Sequence, residues 1–431
     1  HRFVNFNKRF NTRIVSVATA IRHSINLPLI RMMRDIVAYH IADIGRDVLD
    51  DPSHPKRHAY LQRFADREAM TYLRRFYKDL AAHDKDGALE RLIMRTRPTK
   101  NRLSALYRFV RPTSSKAEFA AFLKTQNATK SLSMRQVSKL FDDYDPEQLK
   151  FSDQAYLVRL HPLDLWLGRY LQAHAAPSFA EVRAESGEAQ AAASAWLFKT
   201  NRRNAQNRRI RQMLEEEAFK RVHASWKRLG YPFPSLVPSY ATSIGSSADR
   251  PDALATLVGI ILNDGIRRPT ARINALHFAA QTPYEARMER RQQESYRVLA
   301  PEVASVVRRT MVDVVENGTA RRLRGGFDRD NGEVVQIGAK TGTGDHRKKT
   351  FDRRGNLLTS EVVNRTATVV FFIGDRLFGN LTIFVPGPAA EGYTFTSSLP
   401  AQLLKALAPS LQPLMEDDQV LSVEFVAPDD P

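Results

Sequence analysis

Only residues 333–385 of this chain are dense in the β-branched and aromatic runs that build strands, which limits any sheet to a few antiparallel members. Three runs carry the signal, at 333–343, 366–374 and 380–385, the last two separated by a short turn ending in Gly379. The region before them has a different texture. Leu73, Phe76, Tyr77 and Leu80 fall at i, i+3, i+4 and i+7, and Val137, Leu140 and Phe141 repeat that spacing, as amphipathic helices require. Prolines at 52, 55, 98, 112, 146, 162 and 177 cut the helical region into short elements. The expected fold class is α/β in the α+β sense, an antiparallel sheet flanked by helices, with an all-helical block placed early.

The flanks of that block complete the outline. Residues 11–36 read as two helices broken at Arg22-His23-Ser24-Ile25-Asn26, with Asn26 as N-cap and Pro28 in the first turn of the second helix. After Tyr231-Pro232-Phe233-Pro234 an apolar helix runs through Leu254, Leu257, Val258, Ile261 and Leu262 to Asn263-Asp264-Gly265. Another starts at Pro301 and stops at Asn317-Gly318, where a left-handed residue is expected. A final helix near 398–408 and a strand near 420–426 close the chain. The organisation expected is 1–40 and 231–431 as two segments of one domain, with 41–230 as a helical insertion.

Composition narrows the chemistry. The 431 residues are 43% apolar and 26% charged, the balance of a chain with a core. Lys and Arg number 65 against 47 Asp and Glu, and the net charge of +18 makes a polyanion the first partner to consider. The absence of cysteine rules out disulfides, thiolate-bound zinc and a catalytic thiol. No run reaches the roughly 20 apolar residues of a spanning helix. Two segments hold bases without an acid, seven Lys or Arg over 95–116 and six over 199–211; solvated helix faces are the plain account of both. Nucleic acid has no support beyond charge, since no zinc finger, RNP aromatic motif or helix-turn-helix is present.

The chemistry concentrates in Lys340-Thr341-Gly342-Thr343, at the end of the first strand run. An ammonium, two hydroxyls and a glycine on an accessible strand can hold an anionic, peptide-like substrate, with the glycine leaving room for its approach. The plain alternative is a solvated turn. A P-loop is rejected because Ala339 precedes the lysine and no glycine-rich loop leads into it. Ser24-Ile25-Asn26, the chain's sole Ser-x-Asn, is a second element, and a helix cap is its plain alternative.

Taken with their surroundings, these elements resemble the bifunctional, class A penicillin-binding proteins. The segment Ala20-Ile21-Arg22-His23-Ser24-Ile25-Asn26-Leu27-Pro28 is similar to that family's Ser-x-Asn region. Ser239 to Gly245 is similar too, as are the helix ending Asn263-Asp264-Gly265, the Gly318-Thr319-Ala320 triplet, Lys340-Thr341-Gly342 and the strand after it. The resemblance implies a D,D-transpeptidase that cross-links peptidoglycan stem peptides and is acylated by β-lactams, without metal or organic cofactor. It implies a catalytic set of Ser24, Asn26 and Lys340: Ser24 relays protons, Asn26 bonds the substrate's peptide group, and Lys340 raises the positive potential. Thr341, Gly342 and Thr343 bind substrate, with the Thr343 N–H in the oxyanion hole.

One departure stands out. The family's nucleophilic Ser-x-x-Lys precedes Ser-x-Asn, and the 23 residues before Ser24 contain none. The sole Ser-x-x-Lys, Ser53-His54-Pro55-Lys56, follows Ser-x-Asn in a proline-rich turn and reads as a decoy. The expectation is a C-terminal portion of a longer periplasmic protein, anchored to the bacterial inner membrane, whose front part holds the nucleophile and a glycosyltransferase domain. Envelope proteins are expected partners of the insertion. The competing readings are an inactive transpeptidase-like scaffold and a basic helical module for envelope polymers or nucleic acid. His54 with His58, and Asp345 with His346, are read as solvated polar residues, the latter pair in a loop; Phe371-Phe372 and Phe76-Tyr77 are read as core.

Overall fold

The computed structural model describes residues 3, 5, 7–126, 131–271, 273, 275–289, 294–329, 331–351 and 356–416; the strand expected at 420–426 lies outside them. The chain divides into two compact units, one formed by His1–His40 with Glu217–Pro431, the other by Ile41–Glu216. Helix α1 (Val17–Arg22) starts at Ser16, whose Oγ accepts from the Thr19 N–H at 3.2 Å. Helix α2 (Asn26–Asp50) follows and leads into the second unit, kinking at Gly45.

The unit Ile41–Glu216 is helical throughout: α3 (Lys56–Leu80), α4 (Lys85–Arg95), α5 (Lys100–Val110), α6 (Lys116–Thr125), α7 (Met134–Asp143), α8 (Phe151–Val158), α9 (Pro162–Ala173), α10 (Phe179–Glu185) and α11 (Gly187–Ser194). Serines 115, 133 and 178 close capping boxes with Glu118, Gln136 and Glu181, so three of these short helices carry their own start signals. The stripe read from sequence is the core: Leu73, Phe76 and Leu80 are buried with Leu92, Leu106 and Phe119. Tyr77 sits at its edge, its hydroxyl donating to the Pro177 carbonyl at 2.8 Å.

Much of the basic segment 95–116 is spent inside this unit. Arg95 pairs with both Asp79 and Asp164, Arg111 with Asp86, and Lys116 with Asp142 at 2.9 Å. Arg108 is buried, its guanidinium 3.7 Å from the Phe141 ring centre. Burial pushes the Asp164 carboxyl up, and the Arg95 contact opposes that shift. Lys199, Arg202 and Arg203 by contrast are exposed.

Helix α12 (Arg203–Arg228) leads back into the first unit, where the strands are. The central sheet has the order β5-β6-β7, with β5 (Ile337–Phe351), β6 (Leu357–Ile373) and β7 (Leu377–Pro386) all antiparallel. Four short strands precede it, β1 (Ile266–Arg267) paired with β4 (Tyr296–Arg297), and β2 (Ala275–Phe278) with β3 (Ala286–Glu289). Their sequences lack the β-branched runs, and they went unread in the sequence. One sheet face, with Ala339, Val369 and Phe371, packs on Val314, Leu323 and Leu404; the other presents Phe372 to Val258, Ile261 and Met311. The helices that cover it are α13 (Pro251–Leu262), α14 (Pro301–Asn317) and α15 (Ser398–Ala406), followed by α16 (Ala408–Glu416).

Three local expectations need correction. Strand β5 starts at Ile337 rather than 333 and continues through Asp345 and His346, where a loop was expected. The cross-strand partner decides that: Gly344 to Thr350 pair with the Thr- and Val-rich half of β6, and the Thr350 and Thr359 hydroxyls meet at 2.6 Å. Gly318 after α14 has φ −121° and is not left-handed. A Cβ there would lie 2.4 Å from the Arg22 carbonyl oxygen, so close approach is what requires glycine.

Gly338 is glycine for a similar reason, since an added Cβ would stand 2.1 Å from Cε1 of the buried Phe372 ring. Gly338→Ala is expected to lower stability by about 1–3 kcal/mol in urea unfolding; an unchanged midpoint would mean the ring has room to retreat.

Candidate active site

Within β5 the side chains alternate between faces, so Lys340 and Thr341 point opposite ways. Lys340 is only partly buried as a residue, yet its Nζ donates to Ser24 Oγ at 2.6 Å and to the Thr341 carbonyl at 2.7 Å. Two residues 316 positions apart in the chain thus share one hydrogen bond. Burial lowers the Lys340 pKa to about 8, and no opposite charge is among the causes. An ammonium this close to its neutral form can give up its proton at modest cost.

Ser24 reaches Lys340 because the backbone turns sharply after α1. His23, Ser24 and Ile25 donate their N–H groups back to Thr19 at 3.1 Å, Ile21 at 3.3 Å and Ala20 at 2.8 Å. Ser24 itself takes φ 52°, a left-handed conformation that costs a non-glycine residue about 1–2 kcal/mol. Its hydroxyl accepts from Lys340 and keeps its own hydrogen to offer a further acceptor. Asn26, expected as the N-cap, is instead the first residue of α2, partly buried. Asn5 supplies the cap from upstream, its Oδ1 accepting from the Leu27 N–H at 2.9 Å.

The other strand residues divide by face and exposure. Thr341 is buried, and its Oγ1 lies 2.6 Å from that of Thr319. Thr343 is exposed and accepts from the Ser397 N–H at 3.0 Å. A Cβ on Gly342 would meet Thr368 Cγ2 at 3.0 Å, so crowding from the sheet itself also favours glycine there. Thr319 joins two parts of the site, its N–H donating to the Arg22 carbonyl at 3.2 Å while its hydroxyl meets Thr341. Thr319 lies in the Gly-Thr-Ala triplet similar to that of the penicillin-binding proteins, and its contact with Thr341 is not readable from the sequence.

The remaining candidates make other contacts. Ser53 belongs to the unit Ile41–Glu216, where its exposed hydroxyl donates to Asp51 Oδ1 at 2.6 Å, and Lys56 opens α3 as an exposed residue. His54 precedes that helix, so it does not share a helical face with His58. Asp345 pairs with Arg347 at 3.0 Å, and His346 is exposed. Among the described residues no group of three or more His, Asp or Glu could hold a metal ion. Among them, too, no helix is long and apolar enough to cross a membrane.

The lowered pKa carries a stability signature. Between about 8 and the ordinary 10.5 the unfolded chain holds a proton at Lys340 that the folded chain lacks, so native stability rises with pH in that window. Lys340→Met removes the cost of burying the ammonium. Its stability advantage over the native chain is expected to be full at pH 7 and to shrink as pH rises from 8 to 10 in urea titrations; a constant difference would place the lysine's titration outside that range.

Residues 200–372 match the family model described as the penicillin binding protein transpeptidase domain. No curated protein matches the chain. Among solved structures, penicillin binding protein 3 of Mycobacterium tuberculosis, complexed with ampicillin, is similar at 19% identity and a TM-score of 0.31, over 50% of this chain and 51% of that one. Penicillin-binding protein A of the same organism, as a ceftriaxone acyl-enzyme, is similar at 18% identity and 0.30, over 46% and 44%. A peptidoglycan synthetase from Bifidobacterium adolescentis is similar at 16% identity and 0.24, over 41% and 28%. The chain spans about half the length, or less, of the solved structures it matches. Residues 200–372 are thus similar to a penicillin-binding protein transpeptidase domain, and the fold in which they lie is an antiparallel sheet with covering helices.

Proposed function

We propose that the chain is the C-terminal part of a class A peptidoglycan D,D-transpeptidase that cross-links stem peptides and is acylated by β-lactams. The observation that carries the proposal is the 2.6 Å contact between Lys340 Nζ and Ser24 Oγ, which joins the two motif elements across the length of the chain. In this reading the nucleophile is the serine of a Ser-x-x-Lys element upstream of Ser24. Its oxygen attacks the D-Ala-D-Ala carbonyl as the neighbouring lysine takes its proton. The tetrahedral intermediate collapses, the proton passes through Ser24 to the departing D-alanine amine, and an acyl-enzyme remains. An amine of a second stem peptide then attacks that ester and restores the serine.

The chain's own residues bind and orient. Lys340 supplies positive potential beside Ser24 and exchanges protons with it, helped by its lowered pKa. The exposed Thr343 offers its hydroxyl to the substrate carboxylate and its N–H to the developing oxyanion. Asn26, at the head of α2, bonds the substrate's peptide group. Thr341, committed to Thr319, shapes the strand next to Lys340 more than it binds substrate. The unit Ile41–Glu216 is proposed as a helical insertion into the transpeptidase domain that meets other envelope proteins. The parent protein would carry the glycosyltransferase domain and an inner-membrane anchor and would act in the periplasm.

Fluorescent penicillin tests this reading. The 431-residue chain is expected to stay unlabelled, and the same chain joined to the segment encoded before His1 is expected to form a covalent adduct. In that longer protein Ser24→Ala should slow acylation by about 10²–10⁴-fold. An adduct mapped to Ser53 by mass spectrometry would refute the assignment of the nucleophile, and acylation indifferent to Ser24 would refute the relay.

A further inference from the structure

Ile25 is buried beside Ser24 and Ile21 packs against the sheet core, and polar contacts add to these apolar ones in holding the left-handed serine against β5. Those polar contacts come from the C-terminal end of α14. Arg22, the last residue of α1, places its Nε 2.5 Å from Asp313 Oδ2, although 291 positions separate the two. Both side chains are partly buried, which shields the pair from the full screening that weakens a surface ion pair. Asp313 is itself oriented, since Asn317 Nδ2 donates to its other oxygen at 2.8 Å. Asn317 first, and Arg22 after it, hold the Asp313 carboxyl below the usual carboxylate range, with the nearby His23 adding a smaller pull.

Three further details make this end of α14 a bracket. Gly318 lets the backbone come so near that a Cβ would clash with the Arg22 carbonyl oxygen. Thr319 N–H donates to that same oxygen, and Thr319 Oγ1 reaches Thr341 on β5. Within seven residues, 313–319, the chain therefore grips the Ser24 turn twice and β5 once. Neither Arg22 nor Asp313 belongs to the motif residues assigned above.

We propose that Asp313, acting through Arg22, is a positioning residue that sets the Ser24 hydroxyl against the Lys340 ammonium. The proposal rests on the reading of Ser24 and Lys340 as a proton relay, but its test needs no acylation. When the ion pair is broken, the Ser24 turn can move off β5 and water reaches Nζ. The lysine then recovers ordinary hydration and its pKa climbs. Simple removal of a nearby negative charge would act in the opposite sense and lower it. For Asp313→Asn the sign of the shift therefore separates positioning from a through-space effect, and Arg22→Lys, which keeps the charge, makes the same separation on α1.

The experiment is competitive labelling of the folded chain with acetic anhydride across pH 6–11, with the Lys340 peptide followed by mass spectrometry. In the native chain Lys340 is expected to titrate near 8. In Asp313→Asn and in Arg22→Met it is expected to titrate at least about one unit higher, a roughly tenfold loss of neutral amine at pH 7. Arg22→Lys keeps a charge on α1 and is expected to lie between the native value and these two. Should either pair-breaking variant fail to fold, Arg22→Lys alone must show the intermediate rise. Folded variants with lower melting temperatures but an unmoved or lowered Lys340 titration would overturn the proposal and leave the ion pair a structural tie. A shifted titration combined with a parent protein that never reacts with penicillin would instead refute the transpeptidase reading and leave the positioning role standing.

Discussion

The hydrogen bond from Lys340 to Ser24 is the constraint on which the site depends. It needs an ammonium taken partly out of water, and desolvating a charge is expensive unless another group shares the cost. The Ser24 hydroxyl and the Thr341 carbonyl do so, each as a neutral acceptor. Among the described residues no carboxylate pairs with the lysine, so it stays poorly compensated and its proton is correspondingly loose. A carboxylate partner would have made the contact stronger and the lysine inert as a proton carrier. The surrounding architecture follows from keeping these two residues together: a rigid strand on one side, a tight turn on the other, and α14 between them.

Much of this was readable from the sequence, for identifiable reasons. The amphipathic helices declared themselves because apolar side chains at i, i+3, i+4 and i+7 have only one core to face, as Leu73, Phe76 and Leu80 show. The central strands were legible where both faces are covered, because Val369, Phe371 and Phe372 must all be apolar. Lys340 and Ser24 were legible as members of short motifs, although nothing local to either predicts their contact. The extended half of β5 and the strands β2 to β4 were not, because their residues are largely exposed and pair by register instead of burial, and β1 is a half-buried pair too short to show a pattern. Asn26 looked like a cap because asparagine so often is one. The actual cap, Asn5, lies too far upstream for a local rule to find. Gly318 looked like a left-handed terminator, and only the position of the Arg22 carbonyl reveals why glycine is there.

Charge is the property most altered by the fold. A net +18 first invites a polyanion, and the acid-free run at 95–116 looks like its landing strip. Arg95, Arg111 and Lys116 are instead matched to acids from elsewhere in the same helical unit, and Arg108 lies over an aromatic ring. A sequence window sees only one partner of each such pair, so a locally one-sided run can be nearly balanced in space. Lys199, Arg202 and Arg203 remain outward and are the better claim to a free basic surface.

The unit that holds Ser24 and Lys340 is made from both ends of the chain, with Ile41–Glu216 between them. A ribosome delivers Lys340 more than 300 residues after Ser24. During that interval the helical unit, whose core clusters among the described residues are drawn from its own span, can collapse and complete its core. The α1 turn meanwhile has neither α14 nor β5 to rest on. The loop it must eventually close is long, and long closures slow folding more than they weaken the result. Assembly of the site is therefore a late event in the biogenesis of this chain, and the early-made helical unit shortens the search by bringing its own two ends to fixed places.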